Sequence, residues 1–331
     1  MILAKRILSG TRPTGKLHLG HLLGVLSNWK KYQSEDAFYM IADWHALTTE
    51  YEAHVSLKDV TYEVALDYLA SGLEPDQCTI FVQSWVKEHA ELALLLGMVT
   101  PLPWLERCPT YKEKISEESH RNLLTHGFLG YPVLQASDIL LYQADVVPVG
   151  EDQLPHIELT REIARRFNHL YKKIFKEPES LLTKEAKVPG TDGRKMSKSY
   201  DNCLYLSDSP DELRKKLKKM LTDPERKRRE DKGHPDVCPV GYYQTLFNEK
   251  SRTDEIWAMC RTAAIGCVDC KMELADKLIE FLAPIYEKRQ ELAKKKDWVI
   301  DVLKQGSQKA SKIAAETLYR AKEAAGLWAL K

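Results

Sequence analysis

The pentapeptide Lys195-Met196-Ser197-Lys198-Ser199, with Gly190 and Gly193 just upstream, puts two cations and two hydroxyls on a glycine-loosened loop. Such a loop can close on a polyphosphate, because ammonium and hydroxyl donors match phosphate oxygens. By composition alone it is an ordinary solvated loop, since Lys and Ser are mostly exposed. The order of the residues says more. A chance match to this string in a chain of 331 residues has odds of about one in ten thousand.

A second phosphate-type turn lies near the N-terminus. After the apolar stretch ending Arg6-Ile7-Leu8-Ser9-Gly10, the chain runs Thr11-Arg12-Pro13-Thr14-Gly15-Lys16-Leu17 and then His18-Leu19-Gly20-His21, followed by a helical apolar run to Trp29. A strand, a Gly/Pro turn and a helix N-terminus aim backbone N–H groups and the positive end of a helix dipole at one point. Gly20 is expected to let a nucleotide approach, since it lacks a Cβ. His18 and His21, three residues apart, share a helical face and can donate to phosphate oxygens. Alone, His-x-Gly-His is as well explained by packing or capping. Together, the two motifs resemble the paired signatures of the class I aminoacyl-tRNA synthetases.

Rival nucleotide motifs fail. Gly10-x4-Gly15-Lys16 approaches a Walker A loop, but Leu17 stands where that loop needs a hydroxyl for magnesium. No Gly-x-Gly-x-x-Gly occurs, which removes the usual dinucleotide fingerprint.

The first 200 residues alternate short apolar runs with helical periodicity, as an α/β domain with a parallel sheet does. Strands are expected at Lys5–Leu8, Ala37–Ala42, Thr79–Gln83 and Val146–Val149, with helices at Gly20–Gln33, Leu57–Ala70, Glu88–Met98 and Leu154–Phe167. Ligands in such sheets bind beyond the carboxyl ends of the strands. From about Asp208 the pattern is helical and rich in Lys, Glu and Ala. The expectation is a Rossmann-like parallel-sheet nucleotide-binding domain over 1–200, then an all-helical C-terminal domain over 201–331.

An apolar content of 44% suffices for ordinary cores. No run reaches transmembrane length, and Met1-Ile2-Leu3-Ala4 is too short for a signal-peptide core, so a cytoplasmic location is expected. Net charge is +1, but residues 201–331 hold 26 Lys and Arg against 22 Asp and Glu. The cations cluster in Arg214-Lys215-Lys216-Leu217-Lys218-Lys219, Arg226-Lys227-Arg228-Arg229 and Lys294-Lys295-Lys296. These read as solvated helix faces or as contacts to nucleic-acid phosphates.

Tyr131 to Tyr142 is an apolar helical run carrying one carboxylate, Asp138, with Tyr131 and Gln135 on the same face. A carboxylate in apolar company is costly unless a donor meets it, and an indole N–H or a phenol O–H would be such a donor. This run, with Val147-Pro148-Val149-Gly150-Glu151-Asp152-Gln153-Leu154-Pro155-His156, closely resembles bacterial tryptophanyl-tRNA synthetases. The resemblance covers nearly the whole chain. It implies that Asp138 accepts the indole N–H and that Gln153 holds the polar end of the amino acid. It also implies that Val147 and Val149 line the ring pocket, that His45 lies near the substrate, and that Tyr131, Gln135 and Leu8 border it. Gln135 stands where many bacterial members have Met, and Leu8 where many have Phe. Tyrosyl-tRNA synthetases share both signatures and are the alternative.

For ATP, the resemblance implies charge stabilisation by Lys195 and Lys198, phosphate contacts from His18, His21, Arg12 and Thr14, and ATP-binding positions at Pro13, Gly20, Met196, Ser197 and Ser199. Gly150, Glu151 and Asp152 would border the nucleoside, Val188 the adenine, and Mg2+ would ride on the phosphates. The partners implied are L-tryptophan, ATP and tRNA(Trp). The family is a homodimer joined through a segment that here spans about 88–129, and no membrane association is expected.

Of seven cysteines, Cys78, Cys108 and Cys203 are scattered and read as structural thiols. The other four form Cys238-x21-Cys260-x6-Cys267-x2-Cys270, a complete four-thiolate set. Zinc and [4Fe-4S] clusters both accept four thiolates. A single tight pair and the Cys238-Pro239 step lean toward iron and sulfur, with Zn2+ as the alternative. A subset of bacterial tryptophanyl-tRNA synthetases carries such a cluster at a similar arrangement, where it would serve structure and tRNA recognition. Two other classes share some of these features: a nucleotidylyltransferase that never touches tRNA, and an Fe–S nucleic-acid-binding protein with a decayed nucleotide site. The first leaves 195–199 and the basic clusters unexplained; the second is at odds with two intact motifs.

Overall fold

The computed structural model describes residues 5–34, 36–52, 56–109, 111, 124–183 and 188–330. Five strands, β1 (Ile7–Thr11), β2 (Ala37–Ile41), β3 (Thr79–Val82), β4 (Val146–Val149) and β5 (Glu179–Leu182), form one parallel sheet in the order β3-β2-β1-β4-β5. The order reverses between β1 and β4, so the crevice beyond their carboxyl ends is the natural ligand site.

The period of two divides the core. Ile7, Tyr39, Ile41, Ile80, Val82 and Val146 face one side, with Leu17, Leu19, Trp29 and Met196. Leu8, Phe38, Met40, Phe81 and Val147 face the other. Both faces are buried at the centre of the sheet, which is why β2 and β3 read as continuous apolar runs. On the first face Trp29 stacks on Tyr39 at 4.6 Å, and the Tyr39 hydroxyl donates to the Trp29 carbonyl.

Two expectations shift. β1 begins two residues later than expected and runs on through Gly10, where a Cβ would stand 2.7 Å from the Met40 carbonyl oxygen, so glycine lets β1 and β2 stay paired to Thr11. The Gly20–Gln33 helix is broken into α1 (Leu19–His21), a π-helical turn (Leu22–Leu26) and α2 (Ser27–Tyr32). Ser27 and Asn28 side chains donate back to the carbonyls of Leu23 and Gly24 around that turn. Strand β5, at the sheet edge, was not expected because Glu-Ser-Leu-Leu carries no β-branched residue.

Around the sheet pack α3 (Asp43–Glu50), α4 (Leu57–Ala70), α5 (Glu88–Gly97), α6 (Leu102–Glu106), α7 (His126–Leu141) and α8 (Leu154–Leu170). The chain then becomes helical as expected: α9 (Pro210–Lys219), α10 (Pro239–Phe247), α11 (Lys250–Arg261), α12 (Cys267–Ala293) and α13 (Lys296–Ala324). Helix α13 returns to the sheet and closes its β3 edge. The Ser307 hydroxyl accepts the Val82 N–H at 3.3 Å, and a Cβ on Gly306 would lie 1.9 Å from the Ile80 carbonyl oxygen. An edge N–H thus gains a partner, and the helix sits against the strand backbone. Among the described residues no helix is long and apolar enough to cross a membrane.

Candidate active site

The N-terminal turn leaves β1 and is gripped by three hydrogen bonds from two sides. The segment after the signature loop runs antiparallel to it: Leu19 N–H donates to Leu204, Leu206 N–H to Leu17, and His18 pairs with Tyr205. The third grip is Asp67 on α4, whose Oδ2 accepts the Leu17 N–H at 2.9 Å. His18 and His21 lie ring to ring, 3.8 Å between centroids. The His21 Nδ1 accepts the His18 backbone N–H, which leaves the His21 proton on Nε2. The buried His18 Nδ1 has no protein partner. Burial first, then the Lys198 charge, pushes His18 down to about 4, and burial holds His21 well below the usual imidazole range. Both rings are therefore neutral near pH 7. Gly20 makes room for the His18 ring, which a Cβ would meet at 3.0 Å.

The signature loop reaches this turn through Lys198. Its Nζ donates to the Gly15 carbonyl at 2.9 Å and stands 3.4 Å from the Thr14 hydroxyl. Burial lowers Lys198 to about 8, and the Arg12 charge acts in the same direction. A half-buried ammonium within the field of a second cation is stabilised by an anion. Arg12 and Thr14 are exposed beside it and Pro13 is buried. Lys195, by contrast, lines a cleft of about 280 Å³ with Pro189, Gly193 and Tyr242 of α10. Lys198 thus reaches the N-terminal turn, while Lys195 lies on that cleft.

Sequence reasoning missed the residue that shapes this loop. Buried Asn202 accepts the Ser197 N–H at 2.8 Å and donates to Asp192 and to the Lys195 carbonyl, while its own carbonyl accepts the Thr191 N–H. Gly190 packs so tightly on it that a Cβ would sit 2.2 Å from the Asn202 amide. Ser199 is exposed, and Met196 and Val188 are buried in the core. Val188 meets the loop through its carbonyl, which accepts the Met196 N–H at 3.0 Å.

On the opposite face of the sheet, Asp138 of α7 is 2% exposed and is the hub of a buried polar network. It accepts from His45 Nε2 at 2.8 Å, from Gln83 Nε2 at 2.9 Å to each oxygen, and from His89 Nδ1 at 2.6 Å. The Tyr142 hydroxyl lies 2.7 Å from His89 Nε2. Gln83 is oriented by its Oε1, which accepts the His45 N–H. Burial alone would raise Asp138, but the facing His89 and His45 outweigh it and hold the carboxyl at about 2. Burial and the nearby Asp138 charge push Tyr142 well above the phenol range, so its proton stays. A chain of donors from Tyr142 through His89 to Asp138 follows. Gln83 and His89 carried no motif. Their only sequence signal is a polar residue just beyond the end of β3 and another opening α5.

Tyr131 joins this region: its hydroxyl is 3.1 Å from His156 Nε2 and its ring is 6.5 Å from that of His45. Leu8 and Val147 are buried in the core on this face of the sheet, and Val149 and Gln135 are half-buried. Gly150 leads from β4 into the turn Glu151–Gln153, where Glu151 and Asp152 are exposed and Gln153 donates to Asp152 at 2.7 Å.

The four clustered cysteines lie at helix ends: Cys238 before α10, Cys260 in the last turn of α11, and Cys267 and Cys270 in the first turn of α12. Burial raises Cys270 to about 11, with Cys238 and Cys260 adding to the shift. Cys238 and Cys260 are likewise raised, by burial first and then by neighbouring thiols. N–H donors stand at the sulfurs: Gln244 Nε2 at 3.4 Å from Cys270 and Arg226 Nη1 at 3.8 Å from Cys260. The expected ligand set is not formed, however. Among the described residues no group of three or more His, Cys, Asp or Glu is arranged to hold a metal ion. Cys78, Cys108 and Cys203 are buried, as expected of structural thiols.

The basic clusters divide. Lys216 is spent on Asp208, and buried Arg226 on the carbonyls of Arg229 and Ile265, whereas Lys215, Lys218, Lys219, Lys227 and Arg228 are exposed.

Comparison with known proteins agrees with this arrangement. The family model for class I tRNA synthetases (W and Y) matches residues 4–283. The tryptophan–tRNA ligase of Thermotoga maritima is 52% identical over 325 residues, covering 97% of this chain and 99% of that protein. The tryptophan–tRNA ligase of Aquifex aeolicus is 46% identical, with 97% and 100% covered. The crystal structure of the Campylobacter jejuni tryptophanyl-tRNA synthetase complexed with ADP and tryptophan superposes with a TM-score of 0.88 at 34% identity, covering 97% of this chain and all of that one. A parallel sheet with two phosphate-type motifs at its switch point, matched over nearly its full length by these enzymes, makes this chain a member of the class I tRNA synthetases, in their bacterial-type tryptophan–tRNA ligase branch.

Proposed function

We propose that this chain activates L-tryptophan with ATP and transfers it to the 3′ adenosine of tRNA(Trp). The observation that carries the choice of amino acid is the ionised, buried Asp138 with its three donors. A carboxylate offers about four lone-pair sites; Gln83 is shared between both oxygens, so its shift to one of them opens the fourth site to the indole N–H. His45, Tyr131, Gln135, Leu8, Val147 and Val149 surround that position in this reading, with Gln153 at the amino-acid end.

The tryptophan carboxylate attacks the α-phosphorus of ATP, forming a C–O–P link and expelling pyrophosphate. A 3′-terminal hydroxyl of tRNA then attacks the carbonyl carbon and expels AMP. No side-chain nucleophile is required. Catalysis is in-line positioning and stabilisation of charge on the leaving pyrophosphate. Lys198 and Arg12 supply cationic charge beside the turn, neutral His18 and His21 donate to phosphate oxygens, and Lys195 joins when the loop closes on ATP. Gly150, Glu151 and Asp152 border the nucleoside, and Mg2+ is carried by the phosphates.

The exposed Leu94, Met98, Leu102 and Leu124 support a homodimer through 88–129, part of which lies outside the described residues. The exposed cations of α9 and of 227–229 support tRNA contact in the region 201–331. The gathering of Cys238, Cys260, Cys267 and Cys270 at the ends of α10, α11 and α12, with N–H donors from Gln244 and Arg226 at two of the sulfurs, supports a structural [4Fe-4S] cluster there, with Zn2+ as the alternative. Metal analysis of anaerobically purified protein tests it: iron and sulfide near 4:4 is the expected result, and a metal-free or stoichiometric zinc protein overturns the cluster. For the main reading, aminoacylation of tRNA(Trp) with radiolabelled tryptophan is expected, and no charging with any amino acid would refute it.

A further inference from the structure

The histidine turn is held by a residue 222 positions from its buried anchor. Arg289 lies near the C-terminal end of α12, a helix about 40 Å long whose first turn carries Cys267 and Cys270. It is 6% exposed. Its Nε donates to Asp67 Oδ1 at 2.8 Å, and its Nη2 bonds Glu63 on the preceding turn of α4. Asp67 is fully buried, and its second oxygen accepts the backbone N–H of Leu17, the residue before His18. A guanidinium on the helical region, a buried carboxylate and the backbone of the turn thus form one continuous hydrogen-bonded line.

We propose that Arg289 is a positioning residue for ATP activation, acting through Asp67 on the Leu17–His21 turn; this rests on the reading of that turn as a phosphate site. A buried carboxylate deprived of its cation must protonate or rearrange. Burial already biases Asp67 toward its neutral form, and Arg289 is the first of the opposing influences. A neutral carboxyl makes a weaker bond to the Leu17 N–H than a charged one. The other two grips on the turn come from residues 204–206, which follow the signature loop directly. With Asp67 weakened, the turn is free to move with that loop, and the placing of His18 against Lys198 is no longer fixed. The Asp138 network lies across the sheet and shares no residue with this line.

The test is ATP–pyrophosphate exchange with the full-length protein, measuring KM for ATP and for tryptophan in Arg289→Met, Arg289→Lys, Asp67→Asn and the Arg289→Met/Asp67→Asn double variant. Thermal unfolding identifies the variants that fold, and Arg289→Lys with Asp67→Asn carries the test if Arg289→Met does not. Folded Arg289→Met is expected to raise KM for ATP about tenfold or more, with KM for tryptophan within about twofold. Arg289→Lys keeps the charge and is expected to fall between it and the parent. The double variant is expected to be no worse than the poorer single one, because both changes break the same line. Unchanged KM for ATP, an equal rise for both substrates, or additive losses would each overturn the proposal. His18→Asn is run beside them. If it leaves KM for ATP unchanged, the phosphate reading of the turn fails and takes this inference with it; if it raises KM while the Arg289 and Asp67 variants do not, only the inference fails.

Discussion

Replacing His89 by Leu removes two bonds at once from the network under the proposed indole site. The Nδ1 donor 2.6 Å from Asp138 is lost, and the Tyr142 hydroxyl loses its acceptor at 2.7 Å. A hydrogen bond to a charged group contributes about 1.5–3 kcal/mol, and a stranded buried hydroxyl costs about 1–3 kcal/mol. A loss of about 3–5 kcal/mol in unfolding free energy near pH 7 is expected, read by urea unfolding at fixed protein concentration. The pH dependence supplies a second signature. Asp138 is held at about 2 against an ordinary 3.8, so its contribution, on the order of 2 kcal/mol, is complete above 3.8 and is lost as pH falls toward 2. In the variant the carboxyl rises toward its ordinary value. The gap between parent and variant should therefore narrow as pH falls below about 4. Adding Tyr142→Phe to the variant removes the stranded hydroxyl and should restore about 1 kcal/mol. A loss under about 1 kcal/mol, or a gap that does not change with pH, would refute the reasoning.

Other consequences concern the ATP side. Lys195→Ala should lower the adenylation rate far more than tryptophan affinity, measured by rapid quench and by equilibrium binding; equal losses would contradict its role. Because Lys198 is lowered to about 8, kcat/KM for ATP, which reports the free enzyme, should decline as pH rises through 8. Lys198→Arg, charged throughout, should flatten that decline. Gly190→Ala would drive a Cβ into the Asn202 amide and should raise KM for ATP and lower Tm, whereas Asn202→Ala should raise KM for ATP by freeing Ser197 and Asp192.

Much of the fold was legible because period-two apolar runs and helical periodicity agree with local propensity. The boundaries of α4 and β4 fall where the periodicity puts them, whereas β1 moved because pairing through Gly10 is a tertiary matter. Of the site, His18, His21, Lys198 and Asp138 stand out as motif or misfit residues. Their supports do not. Asn202, Gln83, His89 and Arg289 act through contacts 5, 55, 49 and 222 residues away in sequence. No local pattern marks a polar side chain that matters only for what it touches after folding. The cysteine spacing was legible as a set, but spacing alone did not bring the sulfurs into ligand geometry.

The most direct test of the account is tryptophan-dependent and tyrosine-dependent ATP–pyrophosphate exchange run side by side on the purified chain, with Asp138→Asn as companion. The account requires exchange with tryptophan, little with tyrosine, and a rise in KM for tryptophan of about tenfold or more in the variant, the value of one lost charge-assisted hydrogen bond. A preference for tyrosine, or an Asp138→Asn enzyme with unchanged KM for tryptophan, would contradict it.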